Sequence, residues 1–194
     1  MAEHYSVSTQ LPVYSTIVQN WENFGLKEKI VSYRTENPES TNDYTNVDAW
    51  HSGWDLHKLE DFKSFADVIC NLCIEIVGDC FGKFVPLKII EMWAMQYEVG
   101  DSAKRHNHYP ADISCSYYVD VEDGCSPIIF EDSIEIIPKN GMLVLFPSFV
   151  NHKVLSTNKK RTVISFNLAK HLSEPRPISP ELSSLLGNLN DMFI

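Results

Sequence analysis

A change of hydrophobic period near the middle of the chain constrains the fold more than any other feature. From about Leu56 to Cys80, apolar residues recur at three- and four-residue steps: Leu59, Phe62, Phe65, Ala66, Ile69, Leu72, Cys73, Ile76 and Cys80. This is the stripe of an amphipathic helix, stopped near Gly82, and it is the only long helix the pattern asserts. After Pro86 the residues fall into short β-branched and aromatic runs, at 88–99, 113–120, 127–131, 133–137, 142–146, 153–155 and 162–168. Turn-forming stretches separate them: Val99-Gly-Asp-Ser, Glu122-Asp-Gly124, Pro138-Lys-Asn-Gly141 and Thr157-Asn-Lys. One helix followed by many short antiparallel strands predicts a mainly β (α+β) chain. The expected form is a jelly-roll or cupin-like double-stranded β-helix with the long helix packed on one face.

The expected organisation is a single domain over 1–194, a length that suits one sizeable core. Residues 1–55 read as an N-terminal extension of apolar patches (11–14 and 16–18) and loops, with 34–46 turn-rich and exposed. Residues 56–82 form the supporting helix and 86–170 the β-helix core. A tail over 171–194 is broken by Pro175, Pro177 and Pro180, with a short helix at 180–186. With 16 basic against 26 acidic residues the formal net charge is −10, which disfavours a nucleic-acid or anionic-membrane surface. No signal peptide and no stretch of 18 apolar residues occurs in the sequence, so a cytoplasmic, membrane-free protein is expected. The five cysteines (Cys70, Cys73, Cys80, Cys115, Cys125) read as reduced, buried, small apolar side chains, since Cys70-x-x-Cys73 has no second pair to complete a zinc site. Oligomeric state stays open, a homodimer included.

Two histidines stand at i, i+2 in Arg105-His-Asn-His-Tyr-Pro110, and such positions on a strand point to one side. His152 follows an apolar run closed by Pro147, so a distant strand end can bring a third imidazole to the pair. His4, His51, His57 and His171, each alone, read as surface or hydrogen-bonded core residues. Nine residues after His152 comes Arg161, whose planar, always-charged guanidinium is a natural anchor for the far carboxylate of an organic acid; the plainer alternative is an arginine capping a sheet edge. A metal centre with an acid-anchoring arginine beside it is the layout of an oxygenase.

Further elements occur in order along the chain. They are Gly53-Trp54 with Asp55-Leu56-His57 before the helix, Trp93-Ala94 on a strand, His106-x-His108-x-Pro110, and Ser114-x-x-Tyr117-Tyr118-Val119. Then come Gly124 with Phe130-Glu131-Asp132, Pro138-x-x-Gly141 running on to Ser148, His152-x-Val154, and Arg161-x-x-Ile164-Ser165-Phe166-Asn167. Their order and spacing resemble the 2-oxoglutarate/Fe(II)-dependent oxygenases, in particular a compact phage-related and bacterial group. The resemblance covers 53–167 well, the N-terminal part loosely and the tail not at all.

The resemblance implies a distorted double-stranded β-helix holding Fe(II) at its open end, with 2-oxoglutarate as cosubstrate and O2 as oxidant. His106 and His152 would be the two histidines of the usual facial triad, and His106, His108 and His152 together the metal-binding and catalytic set. Arg161 would pair with the C5 carboxylate of 2-oxoglutarate. Ser165 and Asn167 share its parity on that strand, so they can present hydrogen-bonding groups on the same face. Tyr97, Tyr117 and Tyr118 are candidates for a supplementary hydroxyl to the cosubstrate, and Trp93, Tyr117, Tyr118 and Phe149 for the lining of a dry cavity. A virus-encoded protein acting in a host cytoplasm is one implied setting. The substrate, a small molecule or a protein, is not indicated.

One departure stands out: the superfamily writes His-x-Asp or His-x-Glu, whereas here His108 takes the acid's place. Asp112, four residues on, gives His-x-His-x-x-x-Asp, close to metal-cupin spacing, and is either a further ligand or a solvated loop acid. Two other readings therefore remain. One is a metal cupin dioxygenase or isomerase that does not use 2-oxoglutarate; the other is a non-catalytic metal-binding jelly-roll module.

Overall fold

The computed structural model describes residues 11–40, 46–82 and 84–171. Two antiparallel sheets face each other. The larger runs in the order β1 (Tyr14–Ile17), β9 (Met142–Pro147), β6 (Ile113–Val121), β11 (Arg161–Lys170), β4 (Leu87–Tyr97), β3 (Trp50–His51). The smaller runs β2 (Val47–Asp48), β5 (Ser102–His106), β10 (His152–Val154), β7 (Ile128–Phe130), β8 (Ile134–Ile136). Most pairs join strands distant in sequence, with β7–β8 a local hairpin, and the fold is the double-stranded β-helix the strand pattern predicts.

The supporting helix α2 (Glu60–Phe81) follows a short 3-10 turn at Leu56–Lys58, so the helix proper starts four residues later than the periodicity places it. Glu60 and Asp61 in its first turn suit the positive end of the helix dipole, and Gly82 ends it at φ 63° with its N–H on the Gly78 carbonyl. Phe62, Phe65, Ala66, Ile69 and Cys73 of α2 bury against Met92, Ala94, Cys115, Tyr117, Ile164 and Phe166 of the larger sheet. The opposite face of the same strands contributes Trp93, Met95, Tyr97, Tyr118 and Val163 to a second cluster between the sheets. Period-2 alternation thus sorts each strand into a helix-facing and an interior half.

Residues before 56 do more than extend the body. Strand β1 pairs with β9, and β2 and β3 add to one edge of each sheet. A second helix, α1 (Leu26–Glu36), covers part of the stretch expected as loop; it buries only Leu26 and Ile30, too thin a stripe to show as periodicity. Arg34 in its last turn donates to Gln96 (3.0 Å) and lies over the Trp50 ring. Gly141, at φ 74°, starts the turn into β9; a Cβ there would stand 2.5 Å from Trp21 Cδ1, so the close approach of Trp21 requires glycine.

All five cysteines are free. Cys73 and Cys115 meet across α2 and β6 with sulfurs 3.8 Å apart, and Cys125 is also buried, but Cys70 is half-buried and Cys80 exposed, against the expectation that all five are interior. Among the described residues no helix is long and apolar enough to cross a membrane. The helix expected at 180–186, and His4, lie outside the described residues.

Candidate metal centre

Strand β5 ends on His106 and β10 begins on His152, and the two are directly opposed across the antiparallel ladder. His108 lies two residues beyond the end of β5, so strand parity is not what aims it. Its backbone N–H donates to the Ser148 carbonyl (2.7 Å), which turns the chain back over the sheet mouth. Ring centroids are 4.4 Å apart for His106 and His152, 5.0 Å for His106 and His108, and 5.1 Å for His108 and His152. One ligating nitrogen from each lies within 4.8 Å of the others.

Residues adjoining the three histidines are tied together. Glu131, at φ 45° after β7, accepts from both the backbone N–H (2.8 Å) and Nδ2 (3.0 Å) of Asn151, and pairs with Arg105 at 2.5 Å. Asn151 precedes His152 and Arg105 precedes His106, so one carboxylate fixes both histidine-bearing strands. Asn107 adds a bond from Nδ2 to Asn151 Oδ1 (3.3 Å).

Burial holds the imidazoles in the neutral form that can ligate. Desolvation, then repulsion from His106, drives His108 down to about 3. Desolvation likewise lowers His106, and pushes His152 well below the usual histidine value with the two other imidazoles adding to the effect. His106 Nδ1 sits 2.6 Å from the Lys104 carbonyl. A carbonyl only accepts, so Nδ1 carries the proton and Nε2 keeps its lone pair for a metal.

The three histidines open into a cavity of about 520 Å³ between the sheets. Its floor is the interior face of the larger sheet, in cross-strand rungs. Tyr97 pairs with Arg161, Met95 with Val163, Trp93 with Ser165, and Glu91 with Asn167, and all eight line the cavity. Arg161 is 3% exposed, donates from Nη1 to the Ser126 carbonyl (3.0 Å), and lies 4.5 Å over the Tyr97 ring. Its Nε is buried with no hydrogen-bond partner. No carboxylate among the described residues forms an ion pair with it. Tyr118 also lines the cavity, its phenol raised to about 12 by burial and thus fully protonated.

Other candidates fall elsewhere. Tyr117 points to the opposite face and packs on Phe65 (ring centroids 4.9 Å), because it is one residue out of phase with Tyr118. Phe149 is 52% exposed in the turn before His152 and does not line the cavity. Asp112 is exposed, accepts from the Lys170 N–H (2.8 Å) and is no member of the histidine cluster: it caps a strand end. The Asn167 amide is committed at both ends, Nδ2 donating to Glu91 (2.8 Å) and Oδ1 accepting from the Ser114 hydroxyl (2.8 Å). Three further residues line the cavity without being expected there: His51, read from sequence as a surface or hydrogen-bonded core residue, Trp54 and Glu91. His51 is 1% exposed, stacked on Trp93 at 5.9 Å, and forms part of the wall. Only the Trp-rich Trp50-His-Ser-Gly-Trp54 run hinted at it.

No protein-family model matches this sequence, and no curated protein matches it. Solved structures share its fold. A prolyl-4-hydroxylase from Pseudomonas putida is 16% identical at TM-score 0.61, over 82% of this chain and 92% of its own. The non-haem α-ketoglutarate-dependent carbocyclase SnoK of nogalamycin biosynthesis is 9% identical at TM-score 0.65, over 82% and 80%. HygX from Streptomyces hygroscopicus, solved with nickel and 2-oxoglutarate bound, is 11% identical at TM-score 0.61, over 89% and 88%. The likeness is one of fold.

Proposed function

We propose that this chain is one 2-oxoglutarate- and Fe(II)-dependent oxygenase domain that hydroxylates an organic substrate. The observation that carries the reading is Arg161. A permanently charged guanidinium is enclosed with one N–H unpartnered and, among the described residues, no carboxylate paired with it, in the same cavity as three neutral imidazoles. An uncompensated buried charge costs several kcal/mol, so a missing anion is the natural completion of the site. The structures of like fold that act with 2-oxoglutarate support the same reading.

His106, His108 and His152 would hold the metal. Imidazole suits Fe(II), and with one nitrogen of each ring within 4.8 Å of the others, an inward movement of the rings would bring all three onto one ion. Bound Fe(II) would supply O2 activation, coupling decarboxylation of 2-oxoglutarate to succinate and CO2 with oxidation of a substrate C–H bond. The chain's own part is positional. Arg161 offers its free N–H to the distal carboxylate, and the Tyr97 face steadies the guanidinium. The Tyr118 and Ser165 hydroxyls offer further hydrogen bonds to the cosubstrate, while Val154, Val163 and Ile128 keep the cavity dry. With three neutral ligands the protein leaves the full metal charge for the cosubstrate's anionic end. A metal cupin that dispenses with 2-oxoglutarate would have no use for the unpaired Arg161. The five free thiols fit a reducing cytoplasm.

Titration of Mn(II)-loaded protein with 2-oxoglutarate tests the assignment. Arg161→Ala is expected to weaken 2-oxoglutarate binding about 10- to 100-fold, as loss of a charge-assisted hydrogen bond of about 1.5–3 kcal/mol implies, with Mn(II) affinity within a few-fold of wild type. Wild-type protein that takes up Mn(II) but no 2-oxoglutarate would support the cupin reading instead, and undiminished binding in the variant would remove Arg161 as the anchor.

A further inference from the structure

The cavity wall has a second charge that the oxygenase reading leaves unused. Among the described residues that line it only Arg161 and Glu91 are of charged type; the remainder are apolar, aromatic, hydroxyl, amide or imidazole side chains. The two charges are separated along the floor. Glu91 opposes Asn167, six residues along β11 from Arg161, or roughly 20 Å at about 3.3 Å per residue. Trp93 opposes Ser165 between them, and its ring lies 5.6 Å from that of His108. The metal ligands therefore stand between a cationic end and an anionic end of one channel.

At the anionic end an aromatic corner surrounds the carboxylate. The Trp54 backbone carbonyl accepts from the Met92 N–H (2.8 Å), which sets Trp54 beside Glu91 and Trp93. The rings of Trp54 and Trp93 are 4.8 Å apart, and those of His51 and Trp54 4.6 Å. Trp54 is 38% exposed, so one of its ring surfaces is open to an incoming group. Glu91 is held by Asn167, which in turn meets Ser114; Ser114 reaches Ser148 at 3.0 Å, whose carbonyl takes the His108 N–H. That bond uses Glu91 Oε2; Oε1 takes no hydrogen bond from the described residues. His57, the one histidine whose titration Glu91 affects, is held towards its neutral form by burial and then by Lys58, so it does not balance the charge.

We propose that the substrate carries a cationic nitrogen, an ammonium or guanidinium, received by Glu91 and the Trp54–Trp93 corner on the far side of the metal ligands from Arg161. This rests on the oxygenase reading for which end is substrate and which cosubstrate. A carboxylate beside indole rings attracts a cation through charge and ring quadrupole together. Among the described residues no lysine or second arginine lines the cavity to receive an anionic substrate such as a phosphate ester. An uncharged substrate would leave the carboxylate facing apolar groups, at a cost in affinity.

The test uses the full chain, loaded with diamagnetic Zn(II), with and without 2-oxoglutarate. The indole N–H resonances of Trp54 and Trp93 are followed while three probes are titrated: the N-acetyl N-methylamides of lysine, norleucine and glutamate. The lysine probe is expected to shift the Trp54 resonance saturably, and at least ten-fold more tightly than the norleucine probe. In Glu91→Gln, which keeps an acceptor for Asn167 but removes the charge, that preference should vanish while resonances remote from the cavity stay in place. The inference is overturned if the uncharged or acidic probe binds as well, if no probe binds, or if the preference survives in Glu91→Gln. Cation binding in a protein that fails to take up 2-oxoglutarate would leave this site standing and sink the oxygenase reading; the reverse result would do the opposite.

Discussion

On β11, Ile164 and Phe166 turn towards α2 and lie fully buried among aliphatic and aromatic side chains. Arg161, Ser165 and Asn167 on the same strand, out of phase by one residue, are 3–5% exposed, yet they face the cavity. β6 repeats the division, with Cys115 and Tyr117 against the helix and Ser114, Ser116 and Tyr118 inside. Equal burial therefore has opposite meanings on the two faces. The helix side removes apolar surface from water and stabilises the fold. The interior side buries a guanidinium whose Nε finds no partner among the described residues, which is a standing cost unless something binds there.

The comparison can be broken by substitutions on either side. The largest effect is expected from His152→Ala: metal affinity should fall at least about 100-fold, since the ligand itself is lost, while the metal-free protein melts within a few degrees of wild type, because a buried imidazole contributes little packing. A metal titration with a parallel thermal melt checks both halves. Phe65→Ala, on the other face, should show the reverse pattern. Removing a ring that packs on Tyr117 and Phe24 should cost about 3–5 kcal/mol in denaturant unfolding and leave the folded protein's metal affinity within a factor of about three. If Phe65→Ala abolishes metal binding in folded protein, the two faces are not separable. The smallest change is Ser165→Ala, expected to alter stability by less than about 1 kcal/mol and to weaken 2-oxoglutarate binding several-fold by calorimetry.

Part of this arrangement is legible in the residues. The helix stripe and the succession of short strands each rest on a local pattern whose period survives folding, and the three histidines converge as expected, though not by the parity that suggests it. What escaped notice lacked such a pattern. Helix α1 buries two side chains and so leaves no stripe. Strand β5 reads Ser-Ala-Lys-Arg-His, with no β-branched residue, and is made a strand by pairing with β10 and β2. His108 reaches the cluster through a backbone bond to Ser148 that no spacing rule anticipates. Tyr117 and Tyr118 looked equivalent because parity alone does not say which of two adjacent residues faces inward. Glu91, His51 and Trp54 are drawn to one corner by β3–β4 pairing and the Met92–Trp54 bond, long-range contacts without a signature in the chain.

The central claim is that three imidazoles and Arg161 together receive a metal and its cosubstrate. The most direct measurement is visible absorption of anaerobic protein, first with one equivalent of Fe(II) and then with 2-oxoglutarate. A weak metal-to-ligand charge-transfer band should appear on adding 2-oxoglutarate, and should be missing when His152→Ala replaces the wild type. Protein that demonstrably binds Fe(II) yet develops no band at saturating 2-oxoglutarate would contradict the account.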